Sequence, residues 1–142
     1  MRLVFAEPAA RDLEDIIDYI ALDSPSAAEN VYRAIVAAAE RLCDFPESGR
    51  AGRLPRTREW TVVSLPYLIV YQVRDDALTV LAVFHGARDV ARALAKRREE
   101  LDRVGVYPRL SSKLASRAAW SSAIRGLMTS SKASPSITFG RL

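Results

Sequence analysis

Cysteine and histidine are almost absent from this 142-residue sequence, which holds one of each, Cys43 and His85. A single cysteine excludes an internal disulfide framework and is typical of a reducing compartment, so we expect a cytoplasmic protein. Structural zinc sites take four ligands, mostly from these two residue types, and two candidates are too few. The sequence therefore predicts no bound metal and no cofactor.

Long apolar runs are also missing. No stretch approaches the roughly 20 apolar residues that a membrane-spanning helix needs. The start of the chain does not have the pattern of a signal peptide, because Glu7 and Pro8 interrupt the short apolar run after Arg2. A hydrophobic content of 49% instead predicts one soluble globular domain with a core of its own.

Acidic residues are absent after Asp102. Residues 1–103 contain 15 basic and 17 acidic residues, a net charge of −2, whereas residues 104–142 contain six basic and no acidic residues. Nine of these last 39 residues are serine, a composition that disfavours a stable fold. We therefore divide the chain into a folded domain, residues 1–103, and a basic, serine-rich tail, residues 104–142, which we expect to be disordered or loosely helical. The high pI belongs to the tail and does not argue that the domain binds nucleic acid.

The first half of the domain has a helical hydrophobic period. Four apolar residues have the i, i+3, i+4, i+7 spacing of one helix face (Leu13, Ile16, Ile17 and Ile20). Ser24-Pro25 then supplies an N-cap and a proline at the first helical position, where its missing N–H is tolerated. Apolar residues at steps of four and three predict a second helix (Val31, Ile35, Ala38, Leu42 and Phe45). The two helices predict an antiparallel hairpin, followed by a loop in which glycine and proline break the pattern.

After this loop the hydrophobic period falls to two. Residues 59–64, 67–74 and 78–84 predict three strands, with short connections at Leu65-Pro66 and Asp75-Asp76. Residues 2–6 predict a further strand, and residues 88–103 a last helix. Strict alternation in the third strand predicts two faces, one with Leu78, Val80, Ala82 and Phe84 and the other with Thr79, Leu81, Val83 and His85. The predicted fold class is α+β, an N-terminal helical hairpin packed on a small antiparallel sheet.

Three segments in this order resemble the RelE/ParE superfamily of type II toxins. They are "ARDLEDIIDYIALDSPSAAENV" across the helical hairpin, "FPESGRAGRLPRTREW" in the loop and "PYLIVYQVRDDALTVLAVFHGAR" in the strands. The resemblance covers residues 1 to about 90. It implies a growth-inhibiting toxin that forms a hetero-oligomer with an antitoxin encoded beside it. RelE-like members cut mRNA inside the ribosome, and ParE-like members poison DNA gyrase.

The chemistry of RNA cleavage distinguishes the two branches. Attack by the 2′-OH needs a base, an acid and a cation for the pentacoordinate phosphate, and side chains can supply all three without a metal. The candidates are two residues for proton transfer and three arginines for the charge (Glu59 and His85; Arg58, Arg74 and Arg88). Nuclease members typically carry an arginine on the central strand, where this sequence has Leu68. That departure, and the absence of lysine before Lys96, favour a ParE-like inhibitor that is not an enzyme.

Arginines also form the strongest candidate binding surface. Four lie within nine residues of the loop, and two more lie near the strand ends (Arg50, Arg53, Arg56 and Arg58; Arg74 and Arg88). Such a cluster suits phosphate or an acidic antitoxin segment, so we expect it to contact the antitoxin or the target. The alternative for the loop is a solvated surface, and the alternative for His85 is packing at a strand end.

The favoured function is therefore inhibition of DNA gyrase by a toxin that its antitoxin silences. The first alternative is a ribosome-dependent mRNA endonuclease. A second is a degenerate, non-toxic member that only binds the antitoxin. No membrane partner is expected.

Overall fold

The computed structural model describes residues 1–86, 89–103 and, for the backbone, 137–139. Within these residues the chain forms three helices and six strands, in the order β1 (Arg2–Phe5), α1 (Glu7–Ala21), α2 (Pro25–Asp44), β2 (Arg50–Ala51), β3 (Arg58–Thr61), β4 (Tyr67–Arg74), β5 (Ala77–His85), α3 (Val90–Arg103) and β6 (Ile137–Phe139). The predicted α+β class and the helical hairpin are confirmed. The strand β2 was not predicted, because two residues are too few to show a hydrophobic period.

The helical hairpin forms as its local sequence signals predict. The Ser24 side chain accepts a hydrogen bond from the backbone N–H of Ala27 at 3.2 Å, so it caps α2. Leu13 and Ile17 of α1 and Ile35 of α2 are fully buried against the sheet. Burying each such side chain contributes about 1.5–3 kcal/mol. No helix in the described ranges is both long and apolar enough to cross a membrane.

The six strands form one sheet in the order β2-β3-β4-β5-β1-β6. Neighbours from β2 to β5 are antiparallel, but β1 runs parallel to β5 and β6 runs parallel to β1. The sheet is therefore mixed, whereas the sequence predicted an antiparallel one. Parallel neighbours require a long connection, and here the helical hairpin and the meander separate β1 from β5. A hydrophobic period does not reveal such a pairing.

Each face of the sheet is covered by helix. The hairpin face packs against α1 and α2 and includes Ile69 and Tyr71 of β4. The α3 face packs against α3 and includes Leu68 and Val70 of the same strand. Because both faces are covered, β4 is apolar without strict alternation.

A β-bulge in β5 changes which of its residues share a face. Val70 of β4 pairs with Ala82, but the next residue, Tyr71, pairs with Val80, so Leu81 is the extra residue. As a result Val80 and Val83 lie on the hairpin face, while Ala82 lies on the α3 face. The strict alternation predicted for this strand is therefore wrong beyond Val80. One unpaired residue shifts every later side chain to the opposite face.

The connection between β4 and β5 matches the prediction. Arg74 pairs with Ala77, so the loop consists of Asp75 and Asp76 alone. Both have positive φ angles, 50° and 59°, as a type I′ hairpin turn requires. Aspartate tolerates this left-handed conformation better than most residues.

Three residues of the tail are described, and they form β6 beside β1. The sequence predicted disorder or loose helix for the tail, whereas these residues are a strand. The remaining tail predictions fall on residues 104–136 and 140–142, outside the described part.

Removing residues 104–142 is expected to lower Tm by less than ~5 °C, about 1 kcal/mol for a domain of this size. Within the described part of the chain, the buried clusters on both faces consist of residues between Leu3 and Leu101, and the tail contributes the three residues of β6 at the sheet edge. Thermal unfolding of residues 1–103 and of the full chain, followed by circular dichroism, measures the difference. A larger loss would mean that the tail packs on the domain and that the boundary at 103 is misplaced.

Candidate functional site

Glu59 is buried in β3 on the α3 face, where it pairs with Val70 of β4. Its side chain is 1% exposed. The carboxylate accepts hydrogen bonds from the backbone N–H of Arg53 at 2.8 Å and from Nη2 of Arg50 at 3.1 Å. A buried carboxylate requires such donors, because burial without them is strongly unfavourable. Glu59 thus attaches the loop between β2 and β3 to the sheet.

Arg58 lies on the opposite face from Glu59, where it pairs with Tyr71. Its Nη1 donates to the carbonyl oxygens of Gly49 at 2.8 Å and Glu47 at 3.4 Å. The Tyr71 hydroxyl donates to the carbonyl of Pro46 at 2.6 Å and accepts from the N–H of Gly49 at 3.0 Å. Together Arg58 and Tyr71 hold the turn that follows α2.

His85 ends β5 on the hairpin face and is exposed. Its ring meets the ring of Tyr67, its partner on β4, edge to face at 5.5 Å and 87°. This aromatic geometry contributes about 0.5–1.5 kcal/mol beyond the buried area. Burial raises the pKa of the Tyr67 hydroxyl, so that group stays protonated at neutral pH and does not act as a base beside His85.

The three residues proposed for RNA cleavage do not form one cluster. Glu59 lies on the α3 face and His85 on the hairpin face. Arg58 shares the hairpin face with His85, but their partners on β4, Tyr71 and Tyr67, are separated by roughly 13 Å of strand. Acid, base and cation must all reach one substrate, and the sheet separates these side chains. Among the described residues, no group of three or more His, Cys, Asp or Glu side chains is arranged to hold a metal ion.

Leu68, which replaces the arginine of the nuclease members, is part of the core. It is 6% exposed and packs with Val70, Phe84 and Leu94 on the α3 face. A guanidinium at this position would lie among apolar side chains, where an unpaired charge is strongly disfavoured. The position does not present a cation to a substrate.

The loop arginines fall into two groups. Arg50 and Arg58 are engaged by Glu59 and by backbone carbonyls, as described above. Arg53 and Arg56 are exposed, and no hydrogen bond or ion pair within the described ranges engages their guanidinium groups. Arg74 is exposed as well, 3.6 Å from Asp75 at the β4–β5 turn. Arg88, the sixth predicted contact residue, lies outside the described residues.

The turn that presents Arg56 is fixed by Thr57. The N–H of Gly52 donates to the Thr57 carbonyl at 2.8 Å, and the Thr57 hydroxyl donates to the Leu54 carbonyl at 2.7 Å. Arg56 itself has a φ of 58°, the left-handed conformation that non-glycine residues rarely adopt. A side chain on Gly52 would collide with the Thr57 hydroxyl. These hydrogen bonds therefore hold the loop backbone in a defined turn.

Arg97 forms a buried ion pair, and the sequence did not single it out as a candidate residue. Its side chain is 9% exposed, and the guanidinium forms two hydrogen bonds to the Asp12 carboxylate, at 2.6 and 2.7 Å, and one to Glu100 at 2.9 Å. It also donates to the Leu81 carbonyl at 3.0 Å, while Asp12 accepts the N–H of Val83 at 3.0 Å. The ion pair thus satisfies backbone groups at the β-bulge and joins α1, β5 and α3.

The charge state of Arg97 follows from these contacts. Burial lowers its pKa, but the hydrogen bonds and charge of Asp12, with those of Glu100, outweigh burial and raise the pKa overall. The guanidinium therefore remains charged while buried. A spacing of four, three and four residues along α3 (Val90, Leu94, Arg97 and Leu101) places Arg97 in the apolar stripe. A charge at such a position indicates a buried ion pair, although the period does not identify the partner.

Comparison with known proteins decides the family. The family model for the ParE toxin of the type II toxin-antitoxin system parDE matches residues 3–90. The chain belongs to the ParE toxin family. It is the toxin of a ParDE-type toxin-antitoxin system, and a cognate antitoxin is its partner. The resemblance that three sequence segments indicated is confirmed, while α3 after Val90 and the tail lie beyond the matched residues.

Individual toxins are similar to this chain in sequence or in fold. The toxin is 40% identical to the putative toxin Y4kP of Sinorhizobium fredii over 77 residues, 54% of this chain and 79% of that protein. It is 37% identical to the toxin RelE2 of Caulobacter vibrioides over 87 residues, 61% of this chain and 97% of that protein. A solved structure of the chromosomal ParDE system from P. aeruginosa is similar, with a TM-score of 0.54, 26% identity, and coverage of 60% of this chain and 95% of that one.

Proposed function

We propose that this ParE-family toxin arrests growth by poisoning DNA gyrase and does not cleave RNA. The burial of Leu68 carries the proposal, because the central strand offers no cation at the position where nuclease members have arginine. The other groups that cleavage would use are dispersed: Glu59 supports the loop, and His85 packs on Tyr67 across the sheet from it. Losing a transition-state charge partner typically reduces catalysis by about 10²–10³-fold.

Contact with the antitoxin or with gyrase is assigned to the exposed arginines. Arg53, Arg56 and Arg74 present their guanidinium groups to solvent, where they can pair with carboxylates of a partner. Arg50 and Arg58 support the loop through Glu59 and the carbonyls after α2. In this proposal they act by shaping the surface.

Cleavage of mRNA on the ribosome is the alternative function. One observation favours it: a relative with 37% identity carries the name toxin RelE2. His85 is also exposed, so a substrate could reach its ring. The two functions predict different lesions in arrested cells.

Inducing the toxin alone is expected to arrest growth, with intact mRNA and a DNA-damage response. Purified toxin is expected to inhibit supercoiling by gyrase, and added antitoxin should restore it. His85→Ala should retain toxicity to the extent that it remains folded, because the histidine contributes packing and no proton transfer. Mapping mRNA 5′ ends, together with a plasmid supercoiling assay, measures both activities.

The antitoxin complex serves as the folding control, since a variant that still binds antitoxin is intact. Codon-phased mRNA cuts that disappear with a folded His85→Ala variant would reverse the assignment and make the histidine a catalytic acid or base. Normal growth at confirmed expression would instead identify a non-toxic member that only binds antitoxin.

A further inference from the structure

A second surface lies between the loop and α3. The loop–α3 cleft, lined by Leu54, Pro55, Arg56, Arg98, Leu101 and Asp102, has a volume of ≈ 120 Å³. This is several times the roughly 10–15 Å³ of such volume that one water needs, so the cleft can admit a side chain. Three of these residues are apolar, and the rim arginines, Arg56 and Arg98, are both exposed. Arg98 was not among the candidate contact residues, because the helical pattern alone does not place α3 beside the loop.

A wider groove adjoins the cleft on the other side of the same turn. This groove, of ≈ 470 Å³, is lined by Arg53, Arg58, Gln72 and Val73 among others, and it shares Leu54, Pro55 and Arg56 with the cleft. Arg56 therefore stands between the two cavities. Val73 contributes an exposed apolar surface, 42% accessible, at the end of β4. Apolar residues and arginines together line the combined surface.

The cations of this surface are available to a partner. Within the described ranges, no hydrogen bond or ion pair engages the guanidinium groups of Arg53, Arg56 and Arg98, and all three residues are exposed. Glu59 holds the N–H of Arg53, and Thr57 fixes the turn around Arg56. Because these hydrogen bonds already hold the loop, binding of a partner costs little further conformational entropy in the loop.

We propose that the loop–α3 cleft binds an acidic segment of the cognate antitoxin. One carboxylate of that segment pairs with Arg56 and Arg98, and a neighbouring aliphatic side chain packs on Leu54 and Pro55, the more accessible apolar residues of the lining. The inference rests on the toxin's membership of a toxin-antitoxin system and is independent of gyrase as the target.

The chemistry of the cleft favours a peptide over nucleic acid. Among the described residues no aromatic side chain lines either cavity, so they offer bases no platform on which to stack. Asp102 lies within the cleft beside Arg98. A peptide carboxylate brings one negative charge into the cleft beside Asp102, whereas duplex DNA, with a charge about every 1.7 Å of its axis, brings several.

The test reverses both rim charges in the full chain with Arg56→Glu and Arg98→Glu together. Purified full-length antitoxin is the probe, titrated by surface plasmon resonance at low and physiological salt. We expect Kd to rise about 10–100-fold, mainly through slower association, since steering charges act on the association rate. The salt dependence of association should flatten as well. Urea unfolding of the variant verifies that it is folded.

Arg11→Glu with Arg92→Glu is the matched control, because both arginines are exposed, neither lines the cleft, and the change in net charge is the same. This control should change Kd by less than about threefold, since exposed charges are screened beyond roughly 8 Å at physiological salt. Equal weakening in both variants, or in neither, would overturn the proposal.

Two further outcomes assign the cleft to another partner and also overturn the proposal. One is weakened growth arrest with unchanged antitoxin affinity, which would place the target at the cleft. The other is loss of binding to a 20-bp DNA duplex with unchanged antitoxin affinity. The titration contains no gyrase, so failure of the gyrase proposal leaves this readout intact.

Discussion

Asp12→Ala is expected to lower the free energy of unfolding of the toxin by about 3–5 kcal/mol, because it leaves one partner of a buried ion pair behind. The Arg97 guanidinium would keep its charge, because arginine does not lose its proton at physiological pH, and of its two carboxylate partners only Glu100 would remain. The N–H of Val83 would lose its acceptor too. Urea unfolding followed by circular dichroism, with a check that the m-value is unchanged, measures the loss.

Two variants isolate the ion pair as the cause. Asp15→Ala removes an exposed carboxylate from the same helix and should change stability by no more than about 0.5 kcal/mol. Asp12→Leu combined with Arg97→Met removes both charges and should be less damaging than Asp12→Ala, because no buried charge remains unpaired. A loss below about 1 kcal/mol for Asp12→Ala, the value of an exposed pair, would contradict the role assigned to Arg97.

Gly49→Ala is expected to destabilise the toxin by about 1–3 kcal/mol, the usual penalty for overpacking a filled site. A Cβ at this position would lie 2.5 Å from the Tyr71 hydroxyl oxygen and 3.0 Å from the backbone oxygen of Glu59. The Tyr71 ring is fully buried and cannot move aside as an exposed side chain would. Thermal and urea unfolding of the purified variant measure the effect.

A double-mutant cycle with Tyr71→Phe tests whether the hydroxyl is the obstacle. Tyr71→Phe alone should cost about 1–3 kcal/mol, because the N–H of Gly49 and the carbonyl of Pro46 lose their buried partner. The two changes together should cost less than the sum of the two losses. Gly86→Ala is the control, since among the described residues the nearest atom to its Cβ would be the Pro66 carbonyl oxygen, at 3.4 Å, an ordinary contact distance. Strict additivity would show that Tyr71 and Gly49 do not interact.

The sequence by itself determined the elements whose signals are local. The helical hairpin follows from the apolar period around Leu13 and Ile35 and from the Ser24 cap, since helix contacts join residues three and four apart. Asp75-Asp76 predicted a two-residue turn, because the turn depends only on the residues that form it and aspartate tolerates the left-handed conformation. The order of three segments also predicted the family, because each segment has a recognisable pattern in one continuous stretch.

Only the tertiary structure decided the features that depend on residues distant in the chain. The parallel pairing of β1 with β5 and the bulge at Leu81 arise from strand packing, which leaves no period in the sequence. Glu59 was predicted as a proton-transfer candidate, but its burial and its two donors are visible only when the loop folds over it. Arg97 meets Asp12 across 85 positions of sequence. The apolar stripe of α3 places Arg97 toward the core, but it does not identify Asp12 as the partner, because that pairing exists only in the assembled fold.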